Sequence, residues 1–142
     1  MSKVLITGGT GLIGSRLSGL LKAKGYEVII LTRNNNFKSS HDSFHWNIEE
    51  YRLDDSAFKN IDHILHLAGA GVADKRWSTK RKKEILTSRV VSTNLLYETI
   101  KRLKIPLKSF VAASAIGYYG STTTDKIFIE TDQPSNDFLG NV

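Results

Sequence analysis

The chain has no cysteine in its 142 residues. Disulfide bonds, thiolate metal sites and a cysteine nucleophile are therefore excluded. Histidine is scarce too: the four, at positions 41, 45, 63 and 66, lack the spacing that sets metal ligands on one helical face, so no metal site is expected. No apolar stretch reaches the roughly 20 residues of a membrane-spanning helix. No basic region precedes the first apolar run, so nothing resembles a signal peptide. The expectation is a cytoplasmic protein without a membrane partner.

Twenty Lys and Arg against fourteen Asp and Glu give a net charge of +6. Much of the excess lies in one short segment, Lys75, Arg76, Lys80, Arg81, Lys82 and Lys83. A basic segment raises the question of a nucleic-acid partner. No aromatic-interleaved platform or recognition-helix pattern accompanies it, so Lys80 to Lys83 are read as the solvated start of a helix, and no nucleic acid is expected. A moderately basic balance also suits a protein that holds a polyanionic ligand.

Apolar runs and helical patterns alternate along the chain. Strands are predicted near 3–7, 27–32, 43–46, 62–67 and 109–113, with helices near 12–24 and 79–103. In the second helix Ile85, Val90, Leu95, Leu96 and Ile100 recur near helical spacing, and Pro106 prevents its continuation. Asn34-Asn35-Asn36 and Thr122-Thr123-Thr124 fall where loops are expected. This order signals an α/β fold, a doubly wound parallel sheet between two helical layers, and the right-handed crossover rule gives strand order 3-2-1-4-5. Ligands of such sheets bind beyond the strand C-termini. Segments 8–14, 32–33, 46–47, 67–71 and 114–120 converge on that rim.

The first rim segment reads Thr7-Gly8-Gly9-Thr10-Gly11-Leu12-Ile13-Gly14, between the Val4-Leu5-Ile6 run and a helix-like stretch. Strand, glycine turn and helix in that order form a dinucleotide-phosphate site. A side chain in the turn would keep the backbone from the pyrophosphate, which would sit at the positive helix N-terminus. Gly8, Gly9, Thr10, Gly11, Leu12 and Ile13 are the candidate cradle, with Gly8 and Gly11 expected in backbone conformations that other residues resist. The second strand ends Leu31-Thr32-Arg33, about twenty residues on, where an NAD site would place a carboxylate for the ribose hydroxyls. A guanidinium fork matches a phosphate instead, so Arg33, with Thr32 as a second donor, points to NADP(H).

With His66-Leu67-Ala68-Gly69 and Ser114-Ala115-Ile116-Gly117-Tyr118-Tyr119-Gly120, these motifs resemble the short-chain dehydrogenase/reductase superfamily in its extended, NAD-dependent epimerase/dehydratase branch. Asp74-Lys75-Arg76-Trp77, Ser88-Arg89 and the Gly-Tyr-Tyr-Gly run are similar to an atypical subgroup of epimerase family proteins. The resemblance implies a Rossmann-type NADP(H)-binding domain over residues 1–142. It further implies that Asn47 stands beside the adenine, that Leu67, Ala68 and Gly69 border the cofactor, and that Arg89, with Glu84 before it, takes the place of an Asn near the reaction centre. Arg89 would reach a cofactor phosphate or hydroxyl. Ser114 stands where the superfamily keeps a hydroxyl for the substrate oxygen undergoing hydride exchange.

The superfamily's acid/base is a Tyr four residues before a Lys, whose ammonium lowers the phenol pKa. Here those places read Phe138 and Val142, neither of which moves a proton. Tyr97 and Lys101 have the spacing but lie in the long helix before Ser114. Two functions follow: an atypical epimerase/dehydratase-like oxidoreductase acting on an unknown small molecule, or a non-catalytic protein that senses NADP(H). The chain ends where the superfamily begins its next helix, so the expectation is the N-terminal part of a longer protein without its substrate domain. A homodimer is compatible with the resemblance.

Overall fold

The computed structural model describes residues 1–34, 41–121 and 123–142; the predicted loop positions Asn35, Asn36 and Thr122 lie outside them. β1 (Lys3–Thr7) pairs in parallel with β2 (Glu27–Thr32) on one side and β5 (His63–His66) on the other. β3 (Asp42–Asn47) extends the sheet beyond β2, and β6 (Ser109–Ala112) lies beside β5, both parallel. Arg52–Leu53 form β4, antiparallel to Trp46 and Asn47, so the full order is β4-β3-β2-β1-β5-β6. The expected order 3-2-1-4-5 describes the five parallel strands and is corrected by this outer strand. Two residues are too short to leave a period in the sequence.

Successive strand side chains point to opposite faces, so the central strands, apolar throughout, feed two cores. Val4, Ile6, Val28 and Ile30 bury against Leu21 of α1 (Leu12–Ala23) and Tyr26. Leu5, Ile29, Leu31 and Ile64 turn the other way, onto Leu95 and Leu96 of α2 (Thr79–Leu103), with Trp46 and Phe58 filling the same core. Three layers result. α2 begins where Ser78 accepts a hydrogen bond from the Arg81 amide at 3.2 Å, a side-chain N-cap, and it ends at Lys104 in the left-handed region at φ 52°. Val90, counted in its apolar stripe, is exposed instead. The stripe is set by Ile85, Leu95 and Leu96, which are buried, and by buried Ser92 and Thr99, whose hydroxyls bond back to carbonyls one turn earlier.

Beyond β6 the chain makes a short 3-10 turn, Ile116–Tyr119, and no further regular element follows among the described residues. That segment is held in part by its own contacts. Tyr119 stacks on Phe128 with ring centroids 4.7 Å apart, its hydroxyl donates to the Ile129 carbonyl, and the Ser135 amide donates to the Tyr118 carbonyl.

Candidate functional site

At the C-terminal ends of β1, β2 and β5 the surface opens into a groove of about 320 Å³, bounded by Gly8, Thr10, Gly11, Thr32, Arg33 and the run Leu67 to Ala70. Gly8 adopts φ +70°, and a Cβ there would lie 2.8 Å from the Leu67 carbonyl carbon, so the turn presses against the end of β5. At Gly14 a Cβ would collide with the Gly8 carbonyl oxygen, which lets α1 start directly against the turn. Gly11 departs from expectation. Its φ is −80°, its Cβ would meet only the Gly8 oxygen at 3.4 Å, and what its bareness does is keep the groove open. Leu12 and Ile13 begin α1 with exposed side chains and border no part of the groove.

The Leu67 to Ala70 side of the groove is held by a buried polar chain. The Ser92 hydroxyl donates to the Ser88 carbonyl at 2.6 Å, which leaves its oxygen to accept from His66 Nε2 at 3.1 Å. His66 Nδ1 then accepts from the Thr7 hydroxyl at 2.6 Å, and Thr7 Oγ1 accepts from the Ala68 amide at 3.2 Å. Every member is satisfied by a neutral imidazole. Burial agrees, holding the His66 pKa below its ordinary 6.5. The chain ties β1, β5 and α2 together at the point where Leu67-Ala68-Gly69 must hold position. Ala70 is fixed in turn, its amide donating to the Ser88 hydroxyl and its carbonyl accepting from Arg89 Nη1 at 3.1 Å.

Arg89 therefore lies across the loop, and a Cβ on Gly69 would come within 3.2 Å of its guanidinium carbon. Its half-burial draws its pKa below the usual arginine range. Arg33 borders this groove and a second, of about 460 Å³, that runs between the ends of β2 and β3 and the first turns of α2. Asn47 borders only the second, and its carboxamide oxygen accepts from the amides of Glu49 and Glu50, building the turn after β3. Glu84 borders the second as well, but its carboxylate is taken by Arg81 Nη1 at 2.8 Å. That guanidinium first, then Lys75 and Arg33, hold the Glu84 pKa below the usual carboxylate range. Thr32 is buried and its hydroxyl accepts from the Asn34 amide.

Reading Lys80 to Lys83 as one solvated face fails at Arg81, which is only 6% exposed. Its guanidinium bonds the Gly71 carbonyl, Asp74 and Glu84, clamping the 71–74 loop onto α2. Its Nε is buried without a hydrogen-bond partner. Lys82 stands over the Phe138 ring, 5.1 Å from its centroid. Trp46 and Ala70, in segments expected on the rim, and Ser88 line the first groove together with Ile48, which no motif pointed to, while Lys80 and Lys83, expected on a solvated face, border the second. For the lysines the sequence held no signal, because a run of four basic residues does not say which way each one points.

A family model described as the NAD dependent epimerase/dehydratase family matches residues 4–138. The chain belongs to that family. Within the epimerase/dehydratase family, an epimerase family protein of Mycobacterium leprae is 32% identical over 139 residues, covering 98% of this chain and 44% of the relative. The chain thus spans less than half the length of that relative. A crystal structure of a human epimerase family protein with NADPH superposes with a TM-score of 0.77 at 29% identity, over 98% of this chain and 45% of that one. The structure of MoeE5 in complex with UDP-glucuronic acid and NAD superposes with a TM-score of 0.76, also at 29% identity, over 94% of this chain and 43% of that one.

In this epimerase/dehydratase chain the candidate chemical residues lie apart from the grooves. Ser114 follows β6, exposed, and lines neither groove. Phe138 packs edge-on against Trp77, ring centroids 5.2 Å apart, while the Trp77 indole donates to the Val72 carbonyl at 2.7 Å. The Asp74-Lys75-Arg76-Trp77 motif is thereby a structured loop, fixed by Arg81 on one side and Phe138 on the other. Tyr97 and Lys101 are exposed on α2. Among the described residues no group of three acidic or histidine side chains is placed to hold a metal ion, and no helix is long and apolar enough to cross a membrane.

Proposed function

We propose that this chain is the NADP(H)-binding domain of an atypical nucleoside-diphosphate-sugar epimerase/dehydratase-like oxidoreductase. The observation that carries the reading is the position of Arg33 at the border of the glycine groove. At the end of β2 the adenosine ribose of a dinucleotide would meet a guanidinium where an NAD site keeps a carboxylate. The groove also fits a dinucleotide in shape: Gly8 and Gly14 bring bare backbone to the start of α1, and small residues at 68 to 70 leave room along the sheet edge. The human relative was crystallised with NADPH and MoeE5 with NAD, so the family accommodates both, and Arg33 is what tips this chain toward the phosphorylated form.

When bound, such a cofactor supplies hydride exchange at its nicotinamide ring. This chain's part is to hold the pyrophosphate on the 8–11 turn, to hold the loop at Leu67-Ala68-Gly69 through the Thr7, His66 and Ser92 chain, and to offer Arg89 to a phosphate or hydroxyl. Ser114 is assigned the hydroxyl that orients the substrate oxygen. The substrate is a small molecule rather than a nucleic acid or a membrane.

One observation favours a second reading, a non-catalytic NADP(H) sensor. Phe138 and Val142 stand where the superfamily's Tyr and Lys would be, and Phe138 is engaged by Trp77 and Lys82. Calorimetry with NADPH and NADH tests cofactor binding directly. Stopped-flow loss of NADPH absorbance against a panel of carbonyl compounds, with the longer protein, separates the readings: turnover supports the oxidoreductase, and tight binding without turnover supports the sensor.

A further inference from the structure

The basic run at the start of α2 is sorted by the fold into three destinations. Arg81 turns inward to the 71–74 loop and Lys82 covers Phe138. Lys80 and Lys83, three residues apart and hence on one helical face, border the second groove opposite Arg33. None of these three cations makes an ion pair among the described residues. Like charges from two elements about fifty residues apart in sequence have been brought to one cavity, and of the two carboxylates that also line it, Glu49 and Glu84, the second is paired with Arg81. Three cations against one remaining carboxylate leave a positive excess that an anion would complete.

Resting on the NADP(H) reading, we propose that Lys80 and Lys83 of α2 join Arg33 across the second groove to grip a phosphomonoester on the ribose of the bound adenine nucleotide. The two grooves share Arg33, Trp46, Ile48 and Ser88, so a nucleotide whose pyrophosphate lies on the glycine turn continues into the second without a break. A phosphomonoester carries about −1.5 to −2 charge at neutral pH, more than one guanidinium neutralises. Two carboxylates, Glu49 and Glu84, also face this groove. Arg81 already neutralises Glu84, and the Glu84 carboxyl is further biased by Arg33, which places β2 and α2 within each other's field. Lysine suits the role as a mobile point charge, while Arg33 supplies the fixed fork.

Titration calorimetry on this chain, with NADPH, NADH, adenosine 2′,5′-bisphosphate and adenosine 3′,5′-bisphosphate, reads the grip directly. Lys80→Gln and Lys83→Gln are each expected to weaken NADPH and the 2′,5′-bisphosphate about fivefold, and the double variant about 20-fold, with NADH changed less than about twofold. Lys82→Gln, whose ammonium lies over Phe138, is expected to leave the NADPH to NADH ratio unchanged. Thermal melts of the variants, all at exposed positions, confirm the fold. If both coenzymes bind and the double variant keeps the wild-type ratio, the lysine grip is overturned while the NADP(H) reading stands, provided Arg33→Gln collapses that ratio. Tighter binding of the 3′,5′-bisphosphate, lost in the lysine variants, would support the grip and overturn NADP(H) as its occupant. If neither coenzyme binds, both proposals fall.

Discussion

Gly8→Ala and Gly11→Ala form a pair whose effects should separate stability from binding, although the two glycines stand in the same turn. At Gly8 a side chain would have to adopt φ +70° and would place its Cβ 2.8 Å from the backbone of Leu67. The left-handed conformation costs about 1–2 kcal/mol for a residue with a Cβ. The contact adds about 1–3 kcal/mol of overpacking, since the neighbour is a strand-end carbonyl held in the sheet rather than a flexible side chain. The sum is about 2–5 kcal/mol, which for a chain of this size lowers Tm by roughly 6–15 °C. Gly11 has φ −80° and open space apart from the Gly8 oxygen at 3.4 Å, so Gly11→Ala should cost less than about 1 kcal/mol, the usual loss at an N-cap. Its methyl group projects into the groove and should weaken NADPH by about tenfold or more. Circular-dichroism melts and calorimetry on both variants check this. Equal losses of Tm, or wild-type NADPH affinity in Gly11→Ala, would refute the assignment of rigidity to one glycine and access to the other.

Arg33→Asp is expected to weaken NADPH by about 30-fold or more while leaving NADH within a few-fold, measured by titration calorimetry; equal losses would remove the NADP(H) assignment. Stability should fall as pH drops below 6.5, because burial lowers the His66 pKa and the unfolded chain then takes up a proton that the folded one resists; above 6.5 this contribution is fully present. His41 carries a shift of the same sign, so the test is urea unfolding between pH 7.5 and 5 in a His41→Asn background with and without His66→Asn, the slope flattening when both are gone. Arg81→Met should cost about 1–3 kcal/mol by releasing the Gly71 carbonyl and loosening the 71–74 loop, seen as faster amide exchange there.

The parts that could be read from the chain alone are those whose cause is local. The strand, glycine turn and helix from Lys3 to Ala23 are adjacent in sequence, and Arg33 follows β2 at the expected interval. The five parallel strands follow from apolar runs that alternate with helical periods. What the sequence could not assign depended on neighbours distant along the chain. The need for glycine at position 8 comes from Leu67, whereas Gly11, at φ −80°, meets only the Gly8 oxygen. Residues 80 to 83 present one uniform charge pattern, yet the loop at 71–74, the ring of Phe138 and the end of β2 surround that turn of α2 on different sides. A one-dimensional run cannot encode which cation meets which neighbour. The packing of α2 across the sheet decides it, burying Arg81 and aiming Lys80 and Lys83 at the same groove as Arg33.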